Sequence, residues 1–258
     1  DAFVLPSIQG GAGTSTNMCV NEVVANIALE KMGYNRGDYH ILSPLDHVNH
    51  SQSTNDVYPT AVKIASIKLL RELLDETMAL QQELQNKEKE FSNVLKTGRT
   101  QFQDAVPLTL GQEFGAYAEA ISRDRWRIYK IEERIRRINI GGTAIGTGVG
   151  ASGKYRYYVT EELQRMTGFR LARAENLIDA TQNLDVYVEV HSLLKTMAMN
   201  LNKIARDFRI MSSRPFGEIK LEPLQAGSTI MPGKVNPVGA EFIQQIYYKI
   251  CGNDLTLT

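Results

Sequence analysis

Three stretches of this chain repeat apolar residues every three or four positions for roughly thirty residues each, and that pattern limits the fold more than any other feature. The first runs from about Asn55 to about Phe91, with Ile64, Ile67, Leu70, Leu74, Met78 and Leu84 on one face and Ser53 or Asn55 as candidate cap. The second runs from about Leu108 to Ile140, with Phe114, Tyr117, Ile121, Ile128, Ile131, Ile135 and Ile138 in one stripe. The third runs from about Thr181 to Met211, with Val190, Leu194, Met197, Leu201, Ile204 and Phe208 inward. A helix of thirty residues is about 45 Å long, and uninterrupted patterns of that length belong to bundles. A shorter helix is expected from about Asn17 to Met32, ending at Gly33, and a further one from Pro237, with Asn236 as cap and Pro237 in the first turn. No long alternating strand pattern is present; short extended pieces are expected near Phe3 to Ile8 and Leu171 to Ala174. The fold class read from these patterns is an elongated all-α bundle with loops gathered at the helix ends.

The 258 residues suffice for one large domain or two small ones, and 43% hydrophobic residues allow a sizeable core. Lys+Arg and Asp+Glu both number 29, so no chain-wide field attracts nucleic acid or a membrane surface. The locally basic run Arg123 to Arg137 reads as the solvated face of a long helix. Two distant cysteines, Cys19 and Cys251, suggest a reducing, cytoplasmic setting without a disulfide framework or zinc cluster. No apolar run is long enough for a transmembrane helix. Both ends are expected to be cuts through a longer chain, since Asp1 opens it and Thr258 falls inside an expected helix.

Four loops concentrate small hydrogen-bonding residues. They are Gly10 to Asn17, Ser51 to Asp56, Gly98 to Gln101 with Gln103 and Asp104, and Gly227 to Pro237. Hydroxyls, carboxamides and main-chain amides at helix starts suit a carboxylate ligand. The last loop adds Lys234, which can neutralise a carboxylate, Asn236, which can hydrogen-bond it, and the hydroxyl of Ser228. A serine acts as a base only where cations and amide dipoles stabilise its alkoxide. No G-x-S-x-G elbow is present, which argues against a hydrolase triad. His47 and His50 read as loop or packing histidines rather than metal ligands. Gly148-Val-Gly-Ala-Ser-Gly153 matches a dinucleotide fingerprint but follows a helix, so it reads as a break between helices.

These motifs together resemble the fumarase/aspartase superfamily. Its Gly-Ser-Ser-x-Met-Pro-x-Lys-x-Asn loop corresponds to Gly227 to Asn236, with Thr229 in place of the second serine. Gly13 to Met18 with Asn21 and Glu22, Ser51 to Asp56, Gly98 to Glu113, Gly142 to Gly148 and Gly252 to Asp254 follow in the family's order. Gly10 to Ser15 and Ser53 to Asp56 resemble the aspartate ammonia-lyase branch, and Gln101, where fumarases carry histidine, argues mainly against fumarase. The resemblance implies a carbon–nitrogen lyase converting L-aspartate reversibly to fumarate and ammonia. Ser228 would remove a C3 proton, and Thr100 and Gln101, with the loop amides and Thr229, would stabilise the resulting aci-carboxylate. Thr14, Asn17, Ser53, Thr54, Asn55, Lys234 and Asn236 would bind the carboxylates and amino group. Glu241 receives no catalytic role, since the histidine it would partner is replaced by Gln101. No organic cofactor is implied, and activation by a divalent metal is left open. Alternatives are fumarate hydratase, another lyase of the superfamily, and an inactive helical scaffold. The resemblance further implies residues 1–258 as the central domain, with 1–16 as entry segment and the flanking family domains absent, and a homotetramer with a multi-helix core and active sites shared between subunits. The segment Ser213 to Glu218 is shorter than the family's and lacks its Ser-Gly-Pro-Arg pattern.

Overall fold

The computed structural model describes residues 3, 5, 6 and 8–258. Seven helices are found among them: α1 (Thr14–Lys31), α2 (Thr54–Glu90), α3 (Leu110–Ile135), α4 (Gly153–Thr167), α5 (Leu177–Gln182), α6 (Asp185–Met211) and α7 (Val238–Leu257). A single π-helical turn covers Pro44–Val48. The three long periodic stretches are α2, α3 and α6, so the mostly helical class read from the sequence holds. Contacts divide the chain into two compact units, Asp1–Leu69 with Glu133–Leu184 and Leu70–Glu132 with Asp185–Thr258.

The α3 stripe behaves as its spacing requires: Phe114, Tyr117, Ile121, Ile128, Ile131 and Ile135 are all buried, as is Ile138 beyond the helix end. In the second unit, Leu84, Leu110, Phe114, Tyr117, Ile121, Ile204 and Met211 form one core cluster. Phe114 sits at its centre, with ring centroids of Phe91, Tyr117 and Phe208 at 5.5, 5.8 and 5.7 Å. Tilted and edge-on rings at such distances are favourable beyond the area they bury. Glycine at 111 lets α3 start against the end of α2, because a Cβ there would lie 2.5 Å from the Glu88 carbonyl oxygen. On α2, Ile67, Leu70 and Leu84 are buried, but Met78, expected inward, is 43% exposed.

In the first unit the start of α2 is fixed by buried polar groups. Asp56 is fully buried. One of its carboxylate oxygens accepts from the Ser53 amide at 3.0 Å, and the other from Gly141 and Thr143 amides at 3.1 and 2.8 Å. Burial raises its pKa, and the amide bonds oppose that shift. Pro59 lies within α2 and has no N–H to give the Asn55 carbonyl four residues earlier. The buried Asn139 amide donates to that carbonyl instead, at 3.0 Å, and also to the Thr181 hydroxyl at 3.0 Å.

Several expectations are corrected. The second helix ends at Ile135, not Ile140; Arg137–Ile138 forms β3, paired in parallel with β4 (Ala172–Arg173). The third helix starts at Asp185, and the Thr181 region belongs to α5. At the last helix Pro237 is the cap residue and Val238 the first helical one, while Asn236 supplies only a carbonyl to the Val238 amide. α1 starts at Thr14, three residues before the expected Asn17. The extended piece near Phe3 to Ile8 has no strand among its described residues, and positions 4 and 7 lie outside them. The largest miss is a hairpin, β1 (Leu95–Thr100) and β2 (Gln103–Thr109), paired antiparallel. It escapes periodicity because β2 is mostly exposed and the half-buried positions of β1 are Lys96, Gly98 and Arg99, so no apolar alternation marks it.

Removing the Asp56 carboxylate strands three main-chain amides. Asp56→Ala is expected to cost about 3 kcal/mol or more in denaturant unfolding of the full-length protein; a loss below about 1 kcal/mol would contradict the assigned role.

Candidate active site

The loop from Gly227 to Pro237 closes on itself. Ala226 and Val235 form an antiparallel bridge, and the Gly227 amide donates to the Lys234 carbonyl at 2.8 Å. Position 227 has room only for glycine, since a Cβ would lie 2.9 Å from the Asn236 amide nitrogen. The side chain of Asn236 donates to the Gly227 carbonyl at 3.4 Å, so the two ends of the loop are latched together. Within this frame, Ser228 Oγ accepts from the Ile230 amide at 3.2 Å and the Met231 amide at 3.0 Å. Such bonds hold a turn. They also aim two N–H dipoles at the oxygen, which favours its charged form. Ser228 is half-buried, while Thr229 and Lys234 are exposed.

The hairpin brings a second group of site residues into the same unit. Its two-residue tip is Gln101 and Phe102, with φ of 50° and 61°. Positive φ at both tip positions is the mark of the type I′ class of two-residue hairpin turn, whose twist matches that of the strands. Residues other than glycine adopt that conformation at a cost, and such strain gathers at functional sites. Thr100 and Gln101 are exposed. Beneath them lies a cavity of about 460 Å³ lined in part by Lys96, Arg99, Gln101, Phe102, Lys203 and Asp207. A second cavity of about 810 Å³ is lined in part by Phe102, Arg206, Arg209, Arg214, Asn236 and Glu241. The tip and the Asn236 end of the serine loop therefore share one wall rich in arginine. Glu241 lies 3.7 Å from Arg209 in an ion pair.

The remaining site candidates fall in the first unit. Thr14 is exposed at the start of α1, after Gly11, Ala12 and Gly13 in left-handed conformations. Asn17 is buried, and its amide donates to Asn49 Oδ1 and Thr54 Oγ, both at 3.2 Å. Ser53 Oγ accepts from the Asn55 amide at 3.2 Å, and Asn55 Nδ2 donates to the Ala144 carbonyl at 2.8 Å. Asn17 and Asn55 thus use amide donors inside the protein. The Ala144 carbonyl lies in the glycine-rich segment after β3, which leads into α4 capped by Ser152, so that segment is a break between helices as expected. His47 Nδ1 accepts from the Ser43 amide at 2.8 Å, a loop role. His191 Nε2 lies 3.0 Å from the Ile250 carbonyl and links α6 to α7. Among the described residues no group of three or more His, Cys, Asp or Glu is placed to hold a metal ion, and no helix is long and apolar enough to cross a membrane.

Sequence reasoning missed the ionic cluster under the hairpin. Glu218 pairs with Lys96 at 2.8 Å and with Arg99 at 2.6 Å, and Lys96 also pairs with Glu113. The Arg99 guanidinium stacks 4.2 Å from the Phe216 ring centroid. The Tyr117 hydroxyl lies 3.1 Å from Glu113 and 2.9 Å from Asp207, and its single proton can go to only one of the two carboxylates at a time. Its hydroxyl is pushed well above the usual range by burial first and then by the charges of Asp207 and Glu113. The one available signal was the shortened segment Ser213 to Glu218, which supplies Phe216 and Glu218.

A protein-family model described as Lyase matches residues 1–252. An aspartate ammonia-lyase from Bacillus sp is 52% identical over 100% of this chain and 56% of its own length. Among solved structures, a fumarate lyase:delta crystallin from Brucella melitensis bound to cobalt is 47% identical with a TM-score of 0.93, covering 98% of this chain and 56% of that one. A recombinant class II fumarase from Schistosoma mansoni is 34% identical with a TM-score of 0.86, covering 96% of this chain and 56% of that one. The chain spans about half the length of the curated relatives it matches.

Burial raises the pKa of Glu218, but the hydrogen bonds and charges of Arg99 and Lys96 outweigh this and hold it below the ordinary carboxylate range. A depressed carboxylate stabilises the fold above its unfolded pKa and loses that contribution as pH falls through its folded value. The stability gap between the parent protein and Glu218→Gln should be widest near neutrality and shrink as pH drops below about 5. Denaturant unfolding across that window checks this, and a gap independent of pH would contradict it.

Proposed function

We propose, from the premise that this chain belongs to the lyase family, that it is the central portion of an aspartate ammonia-lyase, which converts L-aspartate reversibly to fumarate and ammonia. The observation that carries the reading is Ser228 Oγ, held by two main-chain amides in a loop that also presents Lys234 and Asn236. Similarity to a known aspartate ammonia-lyase directs the choice of substrate.

In this reading the Ser228 alkoxide removes a proton from C3 of aspartate and becomes a hydroxyl. The C–H electron pair moves into the β-carboxyl group, giving a doubly charged aci-carboxylate. That charge is stabilised by Thr100, Gln101, Thr229 and loop amides, whose orientation before the reaction lowers the barrier. The electron pair then returns to form the C2–C3 double bond of fumarate. The C2–N bond breaks, and its electrons leave with ammonia. Lys234 and Asn236 bind one carboxylate. Thr14, Ser53 and Thr54 bind the other carboxylate and the amino group, with Asn17 holding Thr54 and Asn55 holding the loop. No organic cofactor enters the reaction.

We place the enzyme in the cytoplasm as a homotetramer whose active sites combine loops from different copies. Exposed apolar residues on α7, such as Phe242 at 61% and Leu255 at 83%, support burial against another copy. The reading also takes residues 1–258 as the family's central domain, with 1–16 as entry segment.

The test uses full-length protein, given L-aspartate and L-malate separately, with fumarate followed by ultraviolet absorbance. Fumarate from aspartate is expected, and Ser228→Ala should lower kcat by about a hundredfold or more. Fumarate from malate alone would replace this reading with fumarate hydratase, and full activity in Ser228→Ala would remove the proposed base.

A further inference from the structure

The strained tip that carries Thr100 and Gln101 is not held by a hydrophobic face, since the tip-side residues Gln103 to Pro107 of β2 are exposed. Its hold on the rest of the unit is ionic. Arg99 directly precedes Thr100 in the chain, and Lys96 lies three residues earlier in the same strand. Both side chains are largely buried, at 17% and 8% exposure, and both end on Glu218, itself 15% exposed. Lys96 reaches Glu113 as well, in the first turn of α3. Phe216 covers the face of the Arg99 guanidinium.

Glu218 and Phe216 are themselves anchored. The segment leaving α6 turns back on itself, with the Phe216 and Gly217 amides donating to the Ser213 carbonyl at 3.1 and 2.8 Å. The Glu218 amide then donates to the Met211 carbonyl at 2.8 Å, in the last turn of α6. The carboxylate that grips the hairpin is therefore fixed to the end of a long core helix. A buried carboxylate shared between an ammonium and a guanidinium has its charge compensated on both sides, and a planar guanidinium between carboxylate and ring has little freedom to rotate.

We infer that Glu218 and Phe216 are positioning residues for the proposed elimination: by holding Lys96 and Arg99 they fix the hairpin tip that presents Thr100 and Gln101 to the developing aci-carboxylate. This inference rests on the function proposed above. It assigns the shortened segment after α6 a part in the reaction without contact to substrate. Loss of the clamp should affect the transition state, where the tip donors act, more than substrate binding, which rests on Lys234, Asn236 and the α1 and α2 loops.

The test compares full-length parent protein with Glu218→Gln, Glu218→Asp and Phe216→Leu by aspartate kinetics and by amide hydrogen exchange. Glu218→Gln should lower kcat by about tenfold or more with KM changed less than about threefold. It should speed exchange in residues 95–109 while α6 stays protected, and Glu218→Asp should recover part of both effects. If Glu218→Gln does not fold, Phe216→Leu carries the test, with smaller effects of the same kind. Unchanged kcat overturns the inference even where exchange rises, because the tip would then be loosened without consequence. Should the parent protein form no fumarate from aspartate, the functional reading fails by itself. Exchange then decides whether the clamp exists: faster exchange at the tip supports it, and unchanged exchange overturns it.

Discussion

The long helix α2 is the constraint on which the rest of this structure depends. A helix leaves amides unsatisfied at its start and carbonyls at its end, and a proline inside it adds another orphan carbonyl. Here the Ser53 hydroxyl takes the Asn55 amide and Asn139 answers the open carbonyl, while Asp56, in the first turn, gathers the Ser53, Gly141 and Thr143 amides and so ties the glycine-rich segment after β3 to the helix start. At the other end, the Gly111 amide donates to the Phe91 carbonyl and the Leu110 amide to the Val94 carbonyl. These bonds return the chain from the hairpin into α3. Both ends of one helix thus deliver candidate site loops, and the helix interior supplies core residues to each unit, Ile67 to one and Leu84 to the other.

Within the second unit, the serine loop and the hairpin solve the same problem by different means. The loop is held by main-chain bonds, by glycine at 227 and by the Asn236 latch. Its order comes from backbone chemistry, and its surface stays polar and exposed. The hairpin has a strained tip and little apolar support, and it is held by charge. Pairing Glu218 with two cations under an aromatic lid suits a segment that must stay exposed at its tip, since an apolar anchor there would draw the tip inward.

Much of this was legible in the sequence. The periodicity of α3 and α6 follows from apolar spacing alone, and the stripe from Phe114 to Ile135 is buried throughout. The polar loops were legible too, because glycine, proline and hydroxyl residues punctuate the helices. The hairpin was not: its tip is Gln-Phe rather than Asn-Gly, and the side chains that β1 turns inward are charged rather than apolar. Met78 fits the spacing of α2 yet lies exposed, since periodicity gives a face but not what covers it. The Lys96, Arg99, Glu113 and Glu218 cluster joins residues more than a hundred positions apart, and no local pattern marks such a pairing. No sequence pattern singles out Asn139, and only the fold shows that it answers the carbonyl Pro59 leaves open.

The proposed chemistry requires the protein to stabilise negative charge at the position of Ser228 Oγ. A cysteine there reports this directly. In full-length Ser228→Cys, the ultraviolet absorbance of the thiolate is titrated against pH as a difference from the parent protein, which cancels Cys19 and Cys251. Amides aimed at the side-chain atom should bring the thiol at least about one unit below its ordinary value near 8.5. A thiol that titrates at or above the ordinary value would contradict the claim that this loop prepares its serine to act as a base.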